Sequence, residues 1–260
     1  TIDGDLIATS SNTTGIIDSG ALMVRGTSSF RTTAGNADIS LDQSTLGDGT
    51  GTDTITLNTT GPSGNATLDN QTTVLALGTL ASLTTSVGGN LTLTTGNALG
   101  ITDSDTVTVG GNLSATTDAN NGVINLGSLV VEGTIALATN DAAGNDTAHA
   151  TVMNACSTCS GGVGLNFGAS TIEGNLTATA TTGNMIDSGA LTIKGTSILT
   201  TSANNAKIVL DTTTNAFTGA LTITTNAAMG DVTIDGGTTK LIIAASTIDG
   251  DLTIRTGNAA

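Results

Sequence analysis

Thr1-Ile2-Asp3-Gly4-Asp5-Leu6 opens the chain, and the same six residues return at Thr247-Ile248-Asp249-Gly250-Asp251-Leu252. Close variants stand between them: SVGGNL at 86–91, TVGGNL at 108–113, VVEGTI at 130–135 and TIEGNL at 171–176. A phrase that recurs every few tens of residues marks a repeat architecture, in which each unit buries its apolar side only against its neighbours. Inside the phrase the pattern has period two: Ile2, Gly4 and Leu6 share one side, Asp3 and Asp5 the other. Leu22 with Val24, and Leu221 with Ile223, repeat the alternation. Short alternating runs bounded by Gly and Asn are half-buried strands, not helices.

Spacing turns the strands into an architecture. Val87 to Val109, Val109 to Val131 and Ile2 to Val24 are each 22 residues, and Ile172 to Ile193 is 21. A unit of about twenty residues, made of short strands and Gly/Asn turns, fits one coil of a parallel β-helix with coils ~4.8 Å apart. The expected fold is all-β: a single parallel β-helix or β-solenoid over 1–260, right-handed as parallel crossovers are. Ile, Val and Leu then form inward ladders, and Asn90, Asn112 and Asn175 are expected to stack near a turn. The rhythm breaks over 43–73 and 139–164, which read as irregular or loop-bearing coils.

Composition narrows the function. Hydrophobic residues make up 37%, yet there are three Phe and no Trp or Tyr, so the core is aliphatic and the interior narrow. Against 21 acidic residues stand 6 basic ones, for a net charge of -15. Nucleic-acid binding needs clustered Lys and Arg to neutralise phosphates, and docking on anionic membranes needs them too. No apolar run nears the roughly 18 residues of a membrane span. Thr1 is no initiator residue, which points to a segment ahead of it that was removed or left out.

A longer repeat overlies the short one: residues 1–42 match 171–211 with one residue of slippage, and LNFGASTIEGNL from Leu165 parallels LIIAASTIDGDL from Leu241. This rotation of IDSGAL, NAFTGALTITT and STIDGDLTI resembles the large repetitive bacterial surface proteins of the filamentous-haemagglutinin and autotransporter-adhesin type, over 1–42 and 86–260. The resemblance implies a secreted right-handed β-helix forming a fibre or stalk at the cell surface, and implies no catalytic residues. Both ends share one register and neither shows a cap. The expected partner is therefore a further coil, either the continuation of a longer chain or another copy met head to tail, which builds a filament.

Candidate chemistry is sparse. Asp48-Gly49-Thr50-Gly51-Thr52-Asp53-Thr54-Ile55 resembles one calcium-binding nonapeptide, with Asp48 where a Gly should stand. Asp48 and Asp53 are the candidate calcium ligands, weighed against an ordinary Gly-rich turn because such sites need tandem copies. The pairs Asp3 with Asp5 and Asp249 with Asp251 either chelate weakly or form a solvated face. No other cofactor is implied. Cys156 and Cys159 form a lone CxxC; His149 is the sole imidazole, too few for zinc, and Ser160 stands where covalent haem would need His. A local disulfide pinning a loop is the leading reading in a secreted chain, ahead of free thiols and metal.

Eight Asn-x-Ser/Thr sequons, at Asn12, Asn58, Asn65, Asn70, Asn90, Asn112, Asn145 and Asn175, are candidate glycan sites. β-Helix enzymes acting on polysaccharide need clustered acids with basic partners and aromatic platforms. Here the six basic residues are scattered, and Arg25 and Lys194 fall at equivalent repeat positions, as structural residues would. The chain is not expected to be an enzyme. It is expected to be a structural segment of an extracellular fibre or filament. The rival is a cell-surface adhesin whose loops around 43–73 and 139–164 bind a receptor or glycan.

Overall fold

The 22-residue spacing is a stacking period. Val87 pairs with Val109 and Val109 with Val131 in parallel strands, Ile172 with Ile193, and Ile2 with Val24 in an isolated bridge. The computed structural model describes residues 1–257 except Ala81, Ala143 and Asn145. Its chain winds through about 11 coils of about 22 residues each, a β-solenoid on the order of 50 Å long.

Two long parallel sheets run along the solenoid. One has 13 strands, from Leu6–Ser10 to Ile242–Ile243, and the other 14, from Ile16–Ile17 to Leu252–Arg255. A third, two-stranded sheet pairs Leu22–Val24 with Ser44–Leu46. Alternation decides which side chains enter the bore. Leu91, Leu113 and Ile135 stack in one inward column, and Leu93, Ala115 and Leu137 in the next, all at most 1% exposed. Phe30, Phe167 and Phe217 lie fully buried in the same core. Truncating one such Leu to Ala leaves a cavity and costs about 2–5 kcal/mol.

Corners are as regular as strands. The Gly111 N–H donates to the Gly89 carbonyl (2.9 Å) and the Gly133 N–H to the Gly111 carbonyl (3.0 Å). Coils approach so closely here that a Cβ on Gly111 would stand 2.8 Å from the Gly89 carbonyl carbon and nearer still to Asn90 Oδ1. Side-chain oxygens continue the ladder. Asp38 Oδ1 accepts the Asn65 N–H (2.8 Å), Asn65 Oδ1 that of Asn90 (2.9 Å), Asn90 Oδ1 that of Asn112 (2.8 Å) and Asn112 Oδ1 that of Thr134 (2.8 Å).

Asn175 does not join this column, contrary to the expected stack. Its N–H donates to His149 Nδ1 (2.9 Å) and its Oδ1 accepts the Thr196 N–H (2.8 Å). The reason is that the six-residue phrase serves different corners. It leads into the 14-stranded sheet at Leu91, Leu113, Ile135 and Leu252, but into the 13-stranded sheet at Leu6 and Leu176.

Residues 43–73 carry the strands Ser44–Leu46, Ile55–Thr60 and Ala66–Asp69, joined by a turn over 47–54. Within 139–164, the strand Ala150–Asn154 pairs with Ile124–Val131 below and Leu176–Ala180 above. Around it lie excursions over the described residues of 141–149 and over 155–162, the latter ending in a 3-10 turn at Ser160–Gly162. A third excursion, over the described residues of 78–85, was not anticipated; it meets the outer face where Thr56 Oγ1 donates to the Gly78 carbonyl (2.9 Å).

Candidate functional site

Asp48 and Asp53 sit in the 47–54 turn, where Gly47, Gly49 and Gly51 all have positive φ. The turn uses both carboxylates internally. Asp48 Oδ1 accepts the Thr50 hydroxyl (2.6 Å) and N–H (2.9 Å), and Asp53 Oδ2 accepts the Asp48 N–H (3.1 Å). The Thr50 hydroxyl and N–H hold the Asp48 carboxyl below its ordinary value. Among the described residues, no group of three or more His, Cys, Asp or Glu side chains stands together to hold a metal ion.

Each Asp pair of the repeated phrase meets one neighbouring coil. Asp3 pairs with Arg25 (3.1 Å), while Asp5 Oδ1 accepts the Thr27 N–H (2.9 Å). Asp249 Oδ2 accepts the Ala227 N–H (2.9 Å), and the Asp251 N–H donates to Asp231 Oδ1 (3.0 Å). Lys194 pairs with Glu173 as Arg25 does with Asp3, so equivalent repeat positions make equivalent contacts. These pairs sit in solvent, which screens them, so they fix register more than stability.

The IDSG phrase is the second shared device. Asp18 accepts the N–H groups of Asp42 (3.1 Å) and Gln43 (3.0 Å) and the Ser44 hydroxyl (2.8 Å). Asp187 accepts those of Asp211 (3.0 Å) and Thr212 (3.4 Å) and the Asn215 amide (2.6 Å). Partial burial pushes the Asp18 carboxyl up, but the hydrogen bonds from Ser44, Gln43 and Asp42 outweigh it and leave it below its ordinary value. A carboxyl lowered in the folded state stabilises fully above its unfolded value of about 3.9 and loses that contribution as pH falls through the folded one. Urea titrations should therefore find wild type more stable than Asp18→Asn at pH 7, with the gap closing near pH 3 and below.

Three buried asparagines hold places where the strand ladder lacks a partner. Asn70 Oδ1 accepts the Leu46 N–H (2.7 Å), and its amide donates to the Leu46 and Val74 carbonyls (3.0 and 2.9 Å). Asn154 Oδ1 accepts the Val131 N–H (2.8 Å), and its amide donates to the Val131 and Gly164 carbonyls (3.0 and 2.7 Å). Asn215 Oδ1 accepts the Leu191 N–H (2.8 Å). Sequence reasoning missed all three. The available signal was parity: Asn70 follows Ala66 and Leu68, and Asn154 follows Ala150 and Val152, on the inward side.

Asn70 is 0% exposed, enclosed in the bore wall of the folded chain, where an oligosaccharide has no room. Asn12, Asn90 and Asn112 are exposed, Asn58, Asn65 and Asn175 half-buried, and Asn145 lies outside the described residues. Expression in a glycosylating host should leave the Asn70 peptide at its unmodified mass.

Cys156 and Cys159 are joined by a disulfide, with Cα atoms 5.6 Å apart. It closes the 155–162 excursion. Thr158 Oγ1 donates to Glu132 Oε1 (2.8 Å) and Thr182 Oγ1 to the Cys156 carbonyl (2.7 Å), tying the loop to the coils on either side. A concavity of about 460 Å³ lined by Leu6, Ala8, Ile16, Leu22 and Phe30 is the open bore at the first coil.

Charge is partitioned. Of 27 charged residues, only Arg31, Asp69, Asp103, Asp118, Asp187, Asp235 and Arg255 lie within strands; the rest occupy corners and loops. No helix among the described residues is long and apolar enough to cross a membrane.

These features define the class: a repetitive parallel β-solenoid whose buried and corner polar groups chiefly join one coil to the next. The chain matches a family described as repeats of unknown function (DUF5649) over residues 1–49 and 153–224, a little under half its length. Those segments contain the long internal duplication, with its Asp3–Arg25 and Glu173–Lys194 pairs and its two IDSG brackets. No curated protein and no solved structure matches the chain.

Proposed function

We propose that this chain is a structural segment of an extracellular, cell-surface fibre, formed by coils stacked end to end. The observation that carries this reading is the stack itself: sheets of 13 and 14 parallel strands with matching corner ladders. Such a stack resists extension along its axis because every coil is bonded to the next by backbone hydrogen bonds and aliphatic contact. Its outermost strands, Leu6–Ser10 and Ile242–Ile243 in one sheet, offer open edges suited to a further coil of the same polypeptide or of another copy. Secretion accords with the Cys156–Cys159 disulfide, since such bonds persist in oxidising compartments.

The test is electron microscopy of the native polypeptide together with its intact mass. Unbranched rods of one-solenoid width and longer than about 50 Å are expected. Compact particles of 25.3 kDa that never elongate would overturn the reading.

The adhesin reading is favoured by one observation, the covalently pinned and largely exposed 155–162 excursion. Binding residues concentrate on loops held by rigid scaffolds. Shortening 155–162 to a plain corner separates the two: lost adhesion with rods intact supports the adhesin, and unchanged adhesion dismisses it.

A further inference from the structure

We propose that the outer face of the 13-stranded sheet, from the strand Ala150–Asn154 to Thr247, is an ice-binding surface. This goes beyond the fibre reading and does not depend on it. The strands Ala150–Asn154, Leu176–Ala180, Ser197–Thr201 and Ala220–Thr224 pair in strict register, without a bulge. Their outward residues form two columns. One runs Thr151, Thr177, Ile198, Thr222; the other runs Met153, Thr179, Thr200, Thr224 and continues to Thr247 by an isolated bridge. Seven of these nine positions are threonine, none is charged, and all are exposed or half-buried.

The geometry is a two-dimensional array. Threonines repeat at about 4.8 Å along the solenoid axis and at about 6.6 Å along a strand. The spacing along the axis lies close to the shorter repeat in the oxygen lattice of ice. Each threonine carries a hydroxyl and a methyl on a β-carbon whose rotamers are restricted, so the array is ordered before it meets a ligand. Among the described residues, no protein group accepts from any of the seven hydroxyls.

Other occupants fit less well. A sugar polymer is gripped by aromatic platforms, and the chain has no Trp or Tyr. A dry contact with a second copy would strip seven hydroxyls of water and return no matched partners. A rigid, uncharged lattice of water satisfies each hydroxyl in place. The charged corners beside the face stay hydrated.

The test is adsorption to a growing ice surface and inhibition of ice recrystallisation by the full chain. Wild type should partition into ice. Thr200→Lys should lose about tenfold or more of the adsorbed protein, because it sets an unpaired charge against an uncharged lattice. Thr200→Val, which keeps the strand preference, should fall between the two. Thr94→Lys, in the strand Leu91–Thr95 of the other long sheet, should adsorb like wild type. Circular dichroism establishes that each variant is folded. Exclusion of wild type from ice, or equal losses in the two lysine variants, would overturn the proposal.

Discussion

Replacing Gly100 by alanine is expected to cost about 3 kcal/mol or more, far beyond what one methyl group usually does. Gly100 has a φ of 73°, a left-handed conformation that burdens any residue with a β-carbon. The added Cβ would overlap the Val123 carbonyl oxygen of the next coil and stand 2.7 Å from its carbonyl carbon. Neither partner is free to retreat. The Gly100 carbonyl accepts the Leu75 N–H (3.0 Å) from one neighbouring coil, and the Val123 carbonyl accepts the Ile101 N–H (3.0 Å). Moving one coil apart therefore breaks the ladder on both sides. The control is Gly35→Ala, where a Cβ would meet nothing within 4 Å; its effect should stay within about 0.5 kcal/mol. Denaturant unfolding followed by circular dichroism measures both, and equal effects would refute the close-stacking argument.

Asn154→Leu is the second large effect. Leucine has nearly the right volume, so a simple core position would tolerate it. Here it leaves the Val131 N–H, the Val131 carbonyl and the Gly164 carbonyl without partners, in a site 1% exposed. At about 1–3 kcal/mol for each buried group left unsatisfied, a loss of about 4 kcal/mol follows. Asn154→Asp adds a pH signature. Its carboxyl is buried beside two carbonyls, so its folded value rises and the ionised form is penalised. That variant should become less stable as pH rises from 4 to 8, a trend Asn154→Leu should lack.

The stacking period was legible because Val87, Val109 and Val131 keep both their spacing and their inward parity, and the structure sets them side by side. The role of each corner was not. TIDGDL and its variants encode a strand, a tight turn and a second strand, and that chemistry suits any corner of the coil. Hence Asn90 and Asn175, both in the run GNLT, stand in different columns. Asn70 shows a related ambiguity: a sequon and a buried bracket share the same letters, and only inward parity tells them apart. Asp48 and Asp53 looked like ligands because a tight Gly-rich turn and a cation loop both need oxygens beside bare backbone. In the structure one oxygen of each is engaged, Asp48 Oδ1 by Thr50 and Asp53 Oδ2 by the Asp48 N–H.

Concentrating acids at corners makes the solenoid a stiff polyelectrolyte. A net charge of -15 spread over roughly 50 Å is about one negative charge per 3–4 Å of axis. That is within about a factor of two of the 1.7 Å per charge of duplex DNA. Such a rod gathers a mobile sheath of cations, and at low ionic strength neighbouring rods hold one another at arm's length. Near 1 M salt, where screening shrinks to about 3 Å, the threonine-rich faces are left to govern how closely the rods lie together.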